Sequence, residues 1–136
     1  LPPFGTDPGL VDVAARVLSD AQPEVSQIFL AGHGSGKSPR PAEVARTFGA
    51  ALAKKLATEV HCGFVEQAPF LADVAAGMEA GAVCLPFFAA RRGHVLDDVP
   101  RALEEAQFKG PLLDPIGCLP QIPEFIANRL KRTAPL

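Results

Sequence analysis

From Val25 onward the chain alternates between short runs that are apolar almost throughout and longer runs with an amphipathic period. Val25 to Ala31, Glu59 to Val65, Gly81 to Phe88 and Pro111 to Ile116 read as strands. Between and after them, Pro41 to Ala57, Pro69 to Ala80, Asp97 to Gln107 and Pro120 to Lys131 read as helices. In the longest helix Val44, Phe48, Ala51, Leu52 and Leu56 fall on one face, while Glu43, Arg46, Thr47, Lys54 and Lys55 fall elsewhere. One face therefore meets a core and the other meets water. Strands separated by helices define βαβ units, and strands apolar on both faces are expected where helices cover both sides of a sheet. With right-handed crossovers the expected fold is α/β: a four-stranded parallel sheet of order 2-1-3-4, flanked by helices in a flavodoxin-like three-layer sandwich.

The first residues do not belong to this alternation. Leu1, Pro3, Gly5, Pro8, Ala15 and Leu18 recur as Leu113, Pro115, Gly117, Pro120, Ala127 and Leu130, a constant offset that brings a strand end, a Gly and a Pro-opened helix round again. The expectation is that residues 1–20 are the tail of a preceding homologous half and that residues 25–131 form a single α/β domain. Proline opening a helix after a strand is also ordinary punctuation, which is the plainer reading of the same match.

Composition narrows the field. At 136 residues and 48% hydrophobic, the chain has enough material for one core. A formal charge of −2, without a basic stripe or interleaved aromatics, gives nucleic acid no purchase. The longest apolar stretch, Ala82 to Ala90, contains Pro86 and is about half the roughly 20 residues of a membrane span, so a cytoplasmic location without a membrane partner is expected. Cys62, Cys84 and Cys118 are odd in number, widely spaced and without a CxxC pair, which argues against both a disulfide framework and a cysteine zinc site.

Ala31-Gly32-His33-Gly34-Ser35-Gly36-Lys37-Ser38 has the look of a phosphate-binding loop with its first Gly replaced by Ala31. Such a loop must run straight into a helix whose amino end faces the phosphates, yet Pro39 and Pro41 follow. A phosphate- or nucleotide-binding module is accordingly a minor alternative. The stronger constellation is His33, Glu66 and His94. His33 ends the first strand run, Glu66 follows the second and His94 lies past the third, so all three border the crevice where such sheets bind ligands. Two neutral imidazoles and a carboxylate suit a divalent first-row metal. His61, inside a strand run, reads as a solvated residue. Asp97 and Asp98 read as caps of a helix beginning near Pro100. Lys37 and Arg40 in one loop, Arg91 and Arg92 in another, have no acid between Gly32 and Ala42 or between Gly81 and Leu96, and they would focus a polyanion on the crevice.

Gly32-His33-Gly34-Ser35, Gly63-Phe64-Val65-Glu66, Leu85-Pro86-Phe87-Phe88 with Gly93-His94 and Asp98-Val99-Pro100, and the late Pro115-Ile116-Gly117 with Pro120 together resemble, in order, the CbiX and SirB type sirohydrochlorin chelatases. The resemblance spans Val25 to Leu130 and implies a chelatase fold. It further implies ATP-independent insertion of a divalent metal into a sirohydrochlorin-type tetrapyrrole, Co2+ for cobalamin synthesis, with Ni2+ or Fe2+ in relatives, and no nucleotide. It implies His33 and His94 as metal ligands, Glu66 as ligand or base, and Ser35, Lys37, Arg40, Arg91 and Arg92 as contacts to the polycarboxylate substrate. Gly36-Lys37-Ser38 stands where the family commonly has Arg-Asp-Pro, a difference in the substrate grip. Short family members are homodimers and long ones join two homologous halves, so the expected partner is a second copy or an N-terminal half. The other reading is a non-catalytic half that completes the site or dimer of a two-half chelatase.

Overall fold

The computed structural model describes residues 8–88 and 94–119, together with Ile122 and Ala127. In chain order these form helix α1 (Pro8–Ala21), strand β1 (Gln27–Gly32), helix α2 (Arg40–Leu56), strand β2 (Glu59–Phe64), helix α3 (Leu71–Ala76), strand β3 (Val83–Pro86), helix α4 (His94–Glu105) and a 3-10 turn, Ile116–Cys118. The strands make one parallel sheet of order β2-β1-β3. Gln27 to Gly32 of β1 match Glu59 to Phe64 on one side, and Ile28 to Ala31 match Val83 to Pro86 on the other.

Every residue of β1 is buried. Its alternating side chains divide the core into two layers. Ile28 and Leu30, with Val83 and Leu85, meet Leu10, Ala14 and Leu18 of α1 and Phe48 and Leu52 of α2. Phe29 and Ala31, with Cys84, meet Leu71 and Ala75 of α3 and Val99, Ala102 and Leu103 of α4. Period-two strands thus receive period-3.6 helices on both faces, the three layers expected of this pattern. Leu10 and Ile122, equivalent in the sequence repeat, are buried in the same cluster. Gln27 is a buried polar residue at the foot of β1, and its Oε1 accepts the Glu79 N–H at 2.8 Å, so its burial leaves that oxygen satisfied.

The expected fourth strand is reduced to one residue. Leu112 alone forms a parallel bridge, to Cys84 of β3, with Cys84 N–H donating to Pro111 O at 3.0 Å and Leu113 N–H to Cys84 O at 2.9 Å. The sheet is therefore three-stranded among the described residues. Pro111 has no N–H to offer a ladder, and Pro115 turns the chain into the 3-10 turn. The third helix is shorter than its apolar pattern suggests, because Gly77 follows Ala76 and the chain turns there. Helix α4 begins at His94 and carries Pro100 inside, so Asp97 and Asp98 sit in its early turns instead of capping it. On α2 the buried stripe is Ala42, Ala45, Phe48, Gly49 and Leu52, and Ala51 is exposed. A methyl at Gly49 would lie 3.2 Å from Val60 Cγ1 and 3.3 Å from Cys62 Sγ, which shows how closely the small residues bring α2 to the sheet. The closing helix expected over 120–131 falls outside the described residues apart from Ile122 and Ala127, as does the strand end expected within 1–7.

Candidate metal site at the carboxyl ends of the strands

Past the named ends of β1 and β2 the backbone ladder continues. Val65 N–H donates to Gly32 O at 3.1 Å and Glu66 N–H donates to His33 O at 2.9 Å. The backbones of His33 and Glu66 are thereby tied together one residue out of register as the sheet runs out, and both residues are exposed. On the other side of β1, Phe87 N–H donates to Ala31 O at 2.7 Å. Phe88 follows, half-buried, its ring meeting the His33 imidazole edge-on at 80° with 6.4 Å between centroids. His33 Nδ1 lies 3.3 Å from Gly34 O. When Nδ1 carries the proton and donates there, the lone pair of the neutral ring sits on Nε2.

His94 opens α4 beyond β3, and its side chain lies outside the described residues, as do Arg91 and Arg92 entirely. Among the described residues no group of three or more His, Cys, Asp or Glu side chains gathers as a metal shell. Of the three expected donors, His33 and Glu66 are linked through a backbone hydrogen bond at neighbouring strand ends.

The loop after His33 is built around Ser35. Its hydroxyl accepts the N–H groups of Lys37 at 3.0 Å and Ser38 at 3.1 Å, and Ser38 Oγ accepts the Arg40 N–H at 3.3 Å. Ser35 N–H itself donates to Gln67 Oε1 at 2.8 Å. These are the amides that a phosphate cradle would aim at its ligand, and here they are turned inward on hydroxyl and amide oxygens. Helix α2 starts only at Arg40, behind Pro39, so its amino end does not receive the Gly-rich loop. Ser35 thus serves the loop's own shape, while Lys37 and Arg40 stand exposed on it.

Three residues of this region were not among the expected site residues. Gln67 clamps the loop through Ser35 and touches Gly34, which holds φ +68; its only sequence signal is its place directly after Glu66. Arg46 carries its guanidinium 5.2 Å above the ring of Phe64, the last residue of β2, and adds a third cation to this side of the molecule. Phe88 borders His33, as above. His61, exposed, pairs with Glu59 Oε1 at 3.1 Å, in keeping with a solvated residue. Burial pushes the Cys84 thiol up to about 12. Burial also raises Cys62, against an opposing pull from Arg46. Neither cysteine therefore offers a ready thiolate at neutral pH, and the donor set of this region is imidazole and carboxylate. A groove of about 530 Å³ lies elsewhere, between Pro100, Leu103, Gln107, Phe108, Lys109 and Leu112, and no expected site residue lines it.

The family model for CbiX matches residues 27–133. The chain belongs to the CbiX family. A solved CbiX, described as the terminal enzyme for biosynthesis of siroheme in denitrifying bacteria, is 42% identical with a TM-score of 0.88 over 99% of this chain. This family member spans 62% of the length of that protein. A CbiX protein assigned to cobalamin biosynthesis in Marinobacter aquaeolei is 26% identical with a TM-score of 0.60, over 78% of this chain and 94% of its own. A multi-domain protein of Deinococcus radiodurans with structural similarity to chelatases shares the fold, with a TM-score of 0.66 at 24% identity over 91% of this chain and 29% of its own. No curated protein matches. No helix among the described residues is long and apolar enough to cross a membrane.

Proposed function

We propose that this chain forms the metal-bearing wall of a chelatase that inserts a divalent metal ion into a sirohydrochlorin-type tetrapyrrole without a nucleotide. The observation that carries the reading is the Glu66 N–H bond to His33 O at 2.9 Å, which sets an imidazole and a carboxylate on adjacent strand ends in a family of chelatases. Metallation requires the cation to shed water and the pyrrole N–H groups to lose protons. A neutral imidazole meets the first need, and a carboxylate that can bind metal or accept a proton meets the second. In this reading His94, at the head of α4, supplies the second imidazole, and Lys37, Arg40, Arg91 and Arg92 draw in the carboxylates of the substrate. The metal is substrate, and imidazole and carboxylate donors accept several first-row ions. Co2+ is the expectation from sequence; the 42% identical relative makes siroheme, an iron tetrapyrrole, so Fe2+ stands beside it. Ni2+ is a further substrate of this donor class.

The test is anaerobic absorbance spectroscopy of sirohydrochlorin with Co2+ or Fe2+, without ATP. The chain should accelerate metallation over the protein-free rate. His33→Ala should remove that acceleration, and Glu66→Gln should slow turnover by about 10² or more, the usual worth of a positioned base, while changing metal affinity less. Turnover by His33→Ala equal to the parent would sink the assignment. Coverage of only 62% of the siroheme-forming relative favours one second reading, in which this chain is the later of two homologous halves and completes a site with the other. Background turnover from a folded chain, together with activity of a longer protein containing it, would be its signature.

A further inference from the structure

The ring geometry beside His33 points to Phe88 as the stacking platform for the substrate macrocycle. This assignment rests on the tetrapyrrole reading above and deepens it. An imidazole binds metal through a lone pair that lies in its own plane, so a flat ligand carrying that metal at its centre stands perpendicular to the imidazole. The Phe88 ring is inclined at 80° to that of His33, with centroids 6.4 Å apart. A phenyl ring so placed can lie parallel to the macrocycle and displaced from the metal toward the rim of one pyrrole, the offset arrangement that aromatic faces prefer to direct overlap.

The ring is also held in advance of binding. Phe87 N–H donates to Ala31 O at 2.7 Å and Gly117 N–H donates to Phe88 O at 3.0 Å, so the backbone on either side of the Phe88 side chain is fixed to β1 and to the 3-10 turn. The side chain packs against the cluster formed by Phe29, Cys84 and the helices α3 and α4. Phe88 is nonetheless only half-buried. A rigid aromatic face of this kind adds contact without a large ordering cost, and it works with the basic loops, which can grip carboxylates but offer nothing to the apolar plane of the ring.

The experiment is a titration with uroporphyrin I, a metal-free polycarboxylate porphyrin, read in its Soret absorbance, on the parent, Phe88→Leu and Phe88→Trp. Leucine keeps apolar volume and loses the π face. Tryptophan enlarges the face and, in a chain with no Trp or Tyr, supplies a single indole whose quenching reads binding independently. The expected result is an affinity lowered about tenfold in Phe88→Leu and equal to or tighter than the parent in Phe88→Trp. Co2+ affinity should be unchanged in both. Parent-like affinity in Phe88→Leu overturns the platform, and so does equal weakening in both variants. Should Phe88→Leu fail to fold by circular dichroism, the Phe88→Trp affinity decides: parent-like or tighter binding supports the platform, and tenfold weaker binding overturns it. A parent that binds no porphyrin overturns this chain as a tetrapyrrole-binding unit on its own, and the platform with it, whereas a parent that binds while Phe88→Leu is unaffected overturns the platform alone.

Discussion

Replacing Gly34 with Ala should destabilise the protein by several kcal/mol and loosen the loop that follows His33. Two separate penalties meet at this residue. Its φ is +68, and an L side chain in the left-handed region costs roughly 1–2 kcal/mol. The added methyl would stand 2.9 Å from Gln67 Cγ and 3.0 Å from Phe64 Cβ. Phe64 is fully buried and paired with Gly32 through the sheet, so it has nowhere to withdraw. Gln67 can withdraw only by giving up the Ser35 N–H bond, and overpacking of this kind costs roughly 1–3 kcal/mol. The sum is about 2–5 kcal/mol, a large part of the roughly 5–15 kcal/mol that holds a domain together. Urea unfolding followed by far-ultraviolet circular dichroism measures it. Gly36→Ala is the control, because its new methyl would find nothing nearer than Glu66 O at 3.8 Å, and it should stay within about 0.5 kcal/mol of the parent. If Gly34→Ala unfolds at the same urea concentration as Gly36→Ala, the clamp between the two strand-end loops does not exist as described.

Two further outcomes are expected. Gly110→Ala should fold poorly or not at all, since its methyl would overlap the Ala82 carbonyl oxygen, a backbone atom that cannot swing aside; soluble yield and thermal midpoint would read it, and a parent-like midpoint would contradict the packing beside β3. Cys84 ties stability to alkaline pH. Its thiol is raised by burial from 9.0 to about 12, so the folded state favours the neutral form, its contribution is fully present below 9.0, and it falls at up to about 1.4 kcal/mol per pH unit as pH rises toward 12. Cys84→Ala should flatten that part of the pH profile in denaturant titrations at pH 8 to 11, and an unchanged slope would refute the assignment.

The alternation of apolar runs and amphipathic runs was enough to place three strands, their order and the helices between them, because burial on both faces leaves β1 no other sequence to have. The missing fourth strand has a different cause. Leu112 and Leu113 are apolar enough for a strand, but a ladder is made of N–H groups, and prolines at 111 and 115 remove donors that hydrophobicity does not count. The start of α4 was displaced for a related reason: Pro100 reads as a first-turn residue, yet the helix tolerates it six residues in. On α2 the pattern favoured large residues, whereas close approach to the sheet selected Ala45 and Gly49. At the candidate site, His33 and Glu66 were conspicuous in the sequence, a glycine-flanked histidine after one strand run and a carboxylate after the next, and the structure carries both at strand ends. Gln67, Phe88 and Arg46 were not, because what distinguishes them is contact across the chain: a side-chain amide reaching Ser35, a ring set edge-on to an imidazole, and a guanidinium lying over Phe64.

Under the proposed function, the complete burial of β1 bears on metal choice. The strand from which His33 hangs is flanked by a neighbour on each side and covered above and below, so its backbone belongs to the part of the molecule that opens last, only with global unfolding. Lys37 and Arg40, by contrast, ride on an exposed turn held by serine hydroxyls. A site built this way has a fixed post and an adjustable surround. If the proposed chelatase reading holds, cations of different radius would meet His33 at one unvarying position, and accommodation of size, as well as release of the finished macrocycle, would fall to the exposed loop and its cations.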